Sequence, residues 1–146
     1  MSTSQEPRMH SAEHLLNQAM VRKFNCNRCF SAHINKKKSK CDYKFDHALE
    51  DSDIMELETE INNVISGNCD VREEFVTLEE AAEKYNLVRL PEGVENVRIV
   101  HIGDFDSCPC IGEHVSNTSE IGKIKITSHE YKDGILRIRY KLSAPE

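Results

Sequence analysis

His10 and His14 near the start of the chain, and Cys110 and His114 a hundred residues later, are two pairs of metal-ligand side chains with the same four-residue spacing. On a helix or in a tight loop that spacing aims both members of a pair at one point. Together the pairs supply three imidazoles and one thiolate, which is a complete tetrahedral zinc set, or three catalytic ligands and a spare. Either pair alone has an ordinary explanation, a polar helix stripe or a chance Cys-x-x-x-His. Glu13 and Glu113 each adjoin a ligand in sequence and are candidates to activate water, with a solvated or ligand-supporting role as the alternative.

The run from His10 reads HSAEHLL, and the run from Cys110 reads CIGEHVSNTSEIG. These runs resemble the editing domain of alanyl-tRNA synthetases and its free-standing relatives, the AlaX proteins. That family reads His-Thr-Ala-x-His-Leu-Leu at its first site and Cys-Gly-Gly-Thr-His-Val, then Asn-Thr and Glu-Ile-Gly, at its second. Phe45-Asp46 resembles the family's Arg-Phe-Asp-Phe strand and Glu60-Ile61-Asn62 its Glu-x-x-Asn helix, so the likeness runs from His10 to Tyr140. Two positions depart. Ser11 stands for Thr and keeps a hydroxyl, whereas Ile111-Gly112-Glu113 stands for Gly-Gly-Thr and does not.

The resemblance implies one zinc held by His10, His14, Cys110 and His114. It also implies trans-editing, hydrolysis of the ester that joins a wrong amino acid, above all serine, to the alanine tRNA. Ser11 is then the candidate to bond the substrate hydroxyl, because a site built around a hydroxyl strongly rejects an analogue lacking it. The editing module of threonyl-tRNA synthetases is similar too, with His-Ser-x-x-His and Cys-x-Gly-x-His matching Ser11 and Gly112; it implies serine removal from a threonine tRNA. A non-catalytic, zinc-stabilised tRNA-binding module is a third reading, since Glu113 replaces the motif's Thr. HSAEH is also a His-x-x-Glu-His peptidase pattern with Glu13 as base, but such peptidases are much larger and use a downstream Glu as ligand.

Length and composition bound these readings. A chain of 146 residues makes one domain with its own core, here taken as residues 1–146. The start has no basic cap followed by an apolar stretch and no run approaches a membrane span, so a cytoplasmic protein without a membrane partner is expected. Six cysteines are too few for a disulfide scaffold of this size, and free thiols plus a metal thiolate are expected. Cys26 and Cys29 have Cys-x-x-Cys spacing and would need Cys41 or His33 to hold a second metal; thiols beside a turn are the plainer account.

The net charge of -6 is segregated. Residues 22–44 hold eight Lys or Arg against one acid, residues 121–142 six against two, and residues 46–95 fifteen acids against three bases. The acidic total hides two basic segments. Lys36, Lys37, Lys38 and Lys40 in one, and Lys123, Lys125, Arg137 and Arg139 in the other, are candidates to grip the phosphates of a tRNA.

Periodicity supplies the elements that must position the ligands. Pro7 suits a first helical turn with Ser4 or a neighbour as cap, and a helix to about Lys23 puts both early histidines on one face. Strands are expected from Cys29 to Ile34 and from Cys41 to His47, then a helix from Ser52 to Gly67 with an apolar stripe. A strand from Cys69 to Thr77 leads to a capping box, Thr77 to Glu80, opening a short helix through Tyr85. Pro91-Glu92-Gly93 reads as a loop before three further strands, Val97 to Ile102, Ile121 to Thr127 and Gly134 to Leu142, with a hairpin turn at Asp133-Gly134. The fold expected is α+β, helices laid on a mostly antiparallel sheet, with the first helix facing the Cys110 loop.

Overall fold

The computed structural model describes residues 6–84, 96–110 and 112–144. Its first element is helix α1 (Pro7–Phe24), with Pro7 at the first turn and Asn25 in the left-handed conformation at its end. The chain continues through β1 (Ser31–His33), β2 (Ser39–Lys44), α2 (Asp51–Ser66), β3 (Val71–Thr77), α3 (Leu78–Lys84), β4 (Asn96–Ile102), β5 (Asp106–Pro109), a 3-10 turn (Thr118–Glu120), β6 (Ile124–Lys132) and β7 (Ile135–Leu142). The expected cap Ser4, Tyr85, the 91–93 loop and Ile111 fall outside the described residues.

The fold is α+β, but with two antiparallel sheets where one was expected: β1-β2-β7-β6 and β3-β4-β5. The additional strand, β5, lies inside the segment read as a loop. It is short, and its Cys108 and Pro109 are both half-buried, so no alternation of apolar and polar residues betrays it.

The four-stranded sheet alternates, except that Asp42 on its outer face is buried too. Cys41 and Tyr43 of β2, Ile124 and Ile126 of β6, and Leu136, Ile138 and Tyr140 of β7 point to the core, where they meet Leu15, Leu16, Ala19 and Met20 of α1. Asp133 and Gly134 both have positive φ, as the two-residue turn of the β6-β7 hairpin requires. β6 runs on to Lys132, past the expected Thr127, because a register shift between Ile126 and Ser128 absorbs one residue.

α1 departs from an ordinary surface helix. From Met9 to Asn17 every residue is buried, and the buried set includes His10, Ser11, Glu13, His14 and Asn17. The helix is wrapped by the four-stranded sheet, α2 and β5, and its polar side chains must find partners inside. Tyr43 Oη donates to Asn17 Oδ1 at 2.7 Å and Tyr140 Oη to the Met9 carbonyl at 3.1 Å, tying the helix to the sheet.

α2 begins one residue before the expected Ser52 and is capped by Glu50, whose side chain and that of Asp53 serve each other's backbone. It also closes the sheet's open edge. Asn62 donates to the Ile124 carbonyl and accepts from Ile124 N–H, while Glu58 accepts from Ile126 N–H at 2.9 Å. Side chains thus take the place of a further strand. Replacing Asn62 with Leu removes both bonds at Ile124 and should cost about 1–3 kcal/mol in urea unfolding, with the m-value unchanged. A loss below about 0.5 kcal/mol would show that water serves that edge as well.

Candidate metal centre

The buried face of α1 presents His10 and His14 to the segment that follows β5, and there the two sequence pairs meet. His10, His14, Cys110 and His114 each offer a ligand atom within 4.8 Å of the other three. Their backgrounds differ. Cys110 is fixed by pairing: its N–H donates to the Arg98 carbonyl on β4, and Arg98 Nη1 donates back to the carbonyls of Cys110 and Gly112 at 3.1 and 2.7 Å. His114 rests on the 3-10 turn. There Thr118 Oγ1 donates to carbonyls at the end of α2 and Glu120 accepts from Ser116 and Asn117, so the Asn117-Thr118 and Glu120 parts of the motif are a scaffold for the ligand loop.

Each imidazole is held at its Nδ1 side. His10 Nδ1 donates to the Glu113 carbonyl at 3.1 Å, and His114 Nδ1 meets Ser11 Oγ at 2.9 Å. His14 Nδ1 lies 3.4 Å from Asp106 Oδ2, near enough for charge attraction though not aligned as a hydrogen bond. The Nε2 sides are left to converge. His10 Nε2 is 3.3 Å from Cys110 Sγ, and the buried His114 Nε2 has no aligned hydrogen-bond partner. A stranded imidazole nitrogen beside a thiolate is what a cation would satisfy, and three nitrogens with one sulfur suit zinc.

The electrostatics agree with that donor set. Burial opposes a charged Cys110, but the imidazoles of His10, His114 and His14 around it outweigh that and pull the thiol down to about 2. Burial likewise opposes charge on His14, yet Asp106 and Cys110 lift it to about 10, while burial leaves His114 lowered to about 4. Zinc would displace the His14 proton, so its uptake would weaken toward acid.

Two residues that sequence reasoning missed stand behind His14. Asp106, 3% exposed, is gripped by Arg28 through bonds of 2.9 and 3.2 Å. Burial opposes the carboxylate charge, but His14 and Arg28 hold it down to about 2. The arrangement is a carboxylate and histidine pair of the kind that orients a metal ligand. The only sequence hint is an acid four residues before Cys110.

The remaining candidates are placed as follows. Ser11 is fully buried; its Oγ serves His114 Nδ1 and accepts from Val115 N–H at 3.2 Å. Glu13 is 1% exposed and faces inward, with one oxygen 3.6 Å from His10 Nε2, whereas Glu113 is exposed and its carbonyl serves His10. The two basic segments become neighbours, because β2 pairs with β7 and Lys40 lies opposite Arg139. Lys36, Lys37 and Lys38 are exposed in the β1-β2 turn. Arg137 is held by Asp42 at 2.7 and 2.9 Å, Arg139 by Glu130 at 2.9 Å, and Lys125 approaches Glu58 at 4.0 Å; Lys123 lies just before β6.

Residues 97–139, which include Cys110 and His114, match the family described as the threonyl and alanyl tRNA synthetase second additional domain. Residues 97–139 belong to that synthetase-related superfamily, and the likeness to alanine-tRNA ligases extends over most of the chain. It is similar to the alanine-tRNA ligase of Aeropyrum pernix, 34% identical over 91% of this chain, and to that of Clostridioides difficile, 30% identical over 83%. The ligase of Saccharolobus islandicus is 36% identical over 70% of the chain. The chain spans 15%, 14% and 12% of the lengths of these three curated relatives. Among the described residues no helix is long and apolar enough to cross a membrane.

Gly112 gives the centre a direct test. A Cβ there would overlap the His10 ring. Gly112→Ala should therefore lower zinc affinity about tenfold or more in chelator competition, with little change in overall fold. Unchanged affinity would mean that the loop yields and does not constrain His10.

Proposed function

We propose that this chain is a zinc-dependent aminoacyl-tRNA deacylase whose substrate is serine esterified to the alanine tRNA. The observation that carries the reading is the meeting of His10, His14, Cys110 and His114 within 4.8 Å, with a buried, unsatisfied nitrogen among them. These four would hold the metal. When bound, zinc polarises an ester carbonyl or lowers the pKa of a water, chemistry suited to an already labile ester.

The chain's own groups supply positioning. A cleft of about 670 Å³ opens beside His114, lined by Arg8, Ser116, Ser119 and Glu120, and its volume suits the aminoacyl end of a tRNA. Ser11 acts through His114 in this geometry; to read a substrate hydroxyl directly, that hydroxyl would have to take over the bond to His114 Nδ1 or to Val115. Of the two carboxylates, Glu113 is the better candidate base, because its side chain is open to water while Glu13 is sealed in the core. The basic outer side of the four-stranded sheet, with Lys36, Lys37, Lys38, Lys40, Lys123, Lys125, Arg137 and Arg139, takes the phosphate backbone. A metal-dependent hydrolase of cytoplasmic translation is the reading that unites these parts.

Two measurements test it. Seryl-tRNAs of alanine and threonine type should both be offered; the alanine form should be deacylated faster, zinc removal should abolish the activity, and Glu113→Gln should slow it about 10-fold or more with zinc content retained. No deacylation of either by the zinc-loaded chain would remove the enzyme reading and leave a binding module.

Affinity for the same tRNA should fall with salt, and Lys36→Glu with Lys38→Glu should flatten the logarithmic slope by about 2. A salt-independent affinity would take the phosphate contact away from this sheet.

A further inference from the structure

On the sheet side of α1 lies a second group of ligand-type side chains. Glu13, Cys29 and Cys41 offer a carboxylate oxygen and two sulfurs within 4.8 Å of one another, at exposures of 1%, 2% and 0%. The grouping differs from the one spacing suggested. Cys26 turns away and donates to the Met20 carbonyl at 3.6 Å, and His33 is exposed, so the partners of Cys29 come from α1 and β2 and not from the Cys-x-x-Cys pair.

Three separately anchored elements hold the group. Glu13 hangs from the buried face of α1; Cys41 is on the core face of β2, opposite Ala32 of β1. Cys29 precedes β1, and its N–H donates to Asn17 Oδ1 at 3.1 Å, the same oxygen that receives Tyr43 Oη. Cys29 Sγ is 3.4 Å from Glu13 Oε2. Ligands at ordinary zinc distances are spaced about 3.3–3.8 Å along the edges of a tetrahedron, so this pair already has the separation a shared ion would impose.

We infer that Glu13, Cys29 and Cys41 form a second, buried binding site for a thiophilic divalent cation of the zinc type. Binding requires no oxidation: each thiol gives its proton to solvent, and two sulfurs and one carboxylate oxygen each donate a lone pair to the ion. Cys29 Sγ–H donates to Glu13 Oε2, and a cation would take the place of that proton between the same two atoms. Two thiolates and full burial suit a structural ion, not one that meets substrate. The site also adjoins the first, since the other oxygen of Glu13 lies 3.6 Å from His10 Nε2. An ion here would fix Glu13 and, through it, one wall of the histidine cluster.

The test is zinc content per chain after saturation with zinc and desalting, repeated with cobalt to read the thiolate-to-cobalt charge-transfer absorption. His14→Ala with Cys110→Ala disables the first centre; this chain should still retain one equivalent, with a cobalt spectrum of two thiolates. Cys29→Ser with Cys41→Ser should lose one equivalent relative to the parent. A His14→Ala, Cys110→Ala chain that holds no metal, or a Cys29→Ser, Cys41→Ser chain that loses none, overturns the inference. Should the serine pair fail to fold by circular dichroism, Glu13→Gln decides instead, because it keeps the side-chain size and must weaken retention of the same equivalent at least tenfold. Deacylation is not a readout here, so failure of the proposed activity leaves this result standing.

Discussion

The structure depends on burying α1 on every side. A helix wrapped by a sheet, a second helix and a strand cannot send polar side chains to solvent, yet this one carries two histidines, a serine, a glutamate and an asparagine between Met9 and Asn17. Leaving such groups unpaired would cost several kcal/mol each, so most are matched by a group from elsewhere in the chain. Asn17 meets Tyr43 and the Cys29 backbone, Ser11 meets His114, and His10 meets the Glu113 carbonyl. The ligand cluster is the part of this network in which nitrogens and a sulfur remain turned toward one another.

The same constraint explains how much was legible in the sequence. The four central residues could be read because their spacing records local geometry, a helix face for His10 and His14 and a tight loop for Cys110 and His114. Helix α2 and strands β2 and β7 were legible from alternation and stripe. Asp106 and Arg28 were not, since an acid opening a short strand and a base beside a cysteine have no period, and their roles come only from tertiary placement. The burial of Glu13 and Ser11 was hidden for a related reason. A pattern with polar residues at nearly every other position reads as a solvated face, and only the two elements packed beyond it reveal otherwise.

Charge follows topology as well. The basic segments lie far apart in sequence, but the antiparallel pairing of β2 with β7 and β7 with β6 sets them side by side on the sheet face opposite α1. Acids within that face, Asp42 and Glu130, hold the two arginines in fixed positions, while the lysines of the β1-β2 turn stand exposed. Many of the remaining acids gather on α2, β3 and α3. A negative chain thereby keeps one positive side.

His10 and Cys110 are separated by a hundred residues, and every tie between α1 and the ligand loop spans about the same length. No fragment of the polypeptide, however well its local elements form, contains the cluster. During synthesis the early histidines wait for roughly 5–20 s while the rest emerges at about 5–20 residues per second, and the core beneath them stays open for as long. Contacts of such long range also close late in folding, after the entropy of a large loop has been lost. Closure of the cluster therefore comes only when the whole chain has reached its native arrangement, a mark that separates finished molecules from newly made ones.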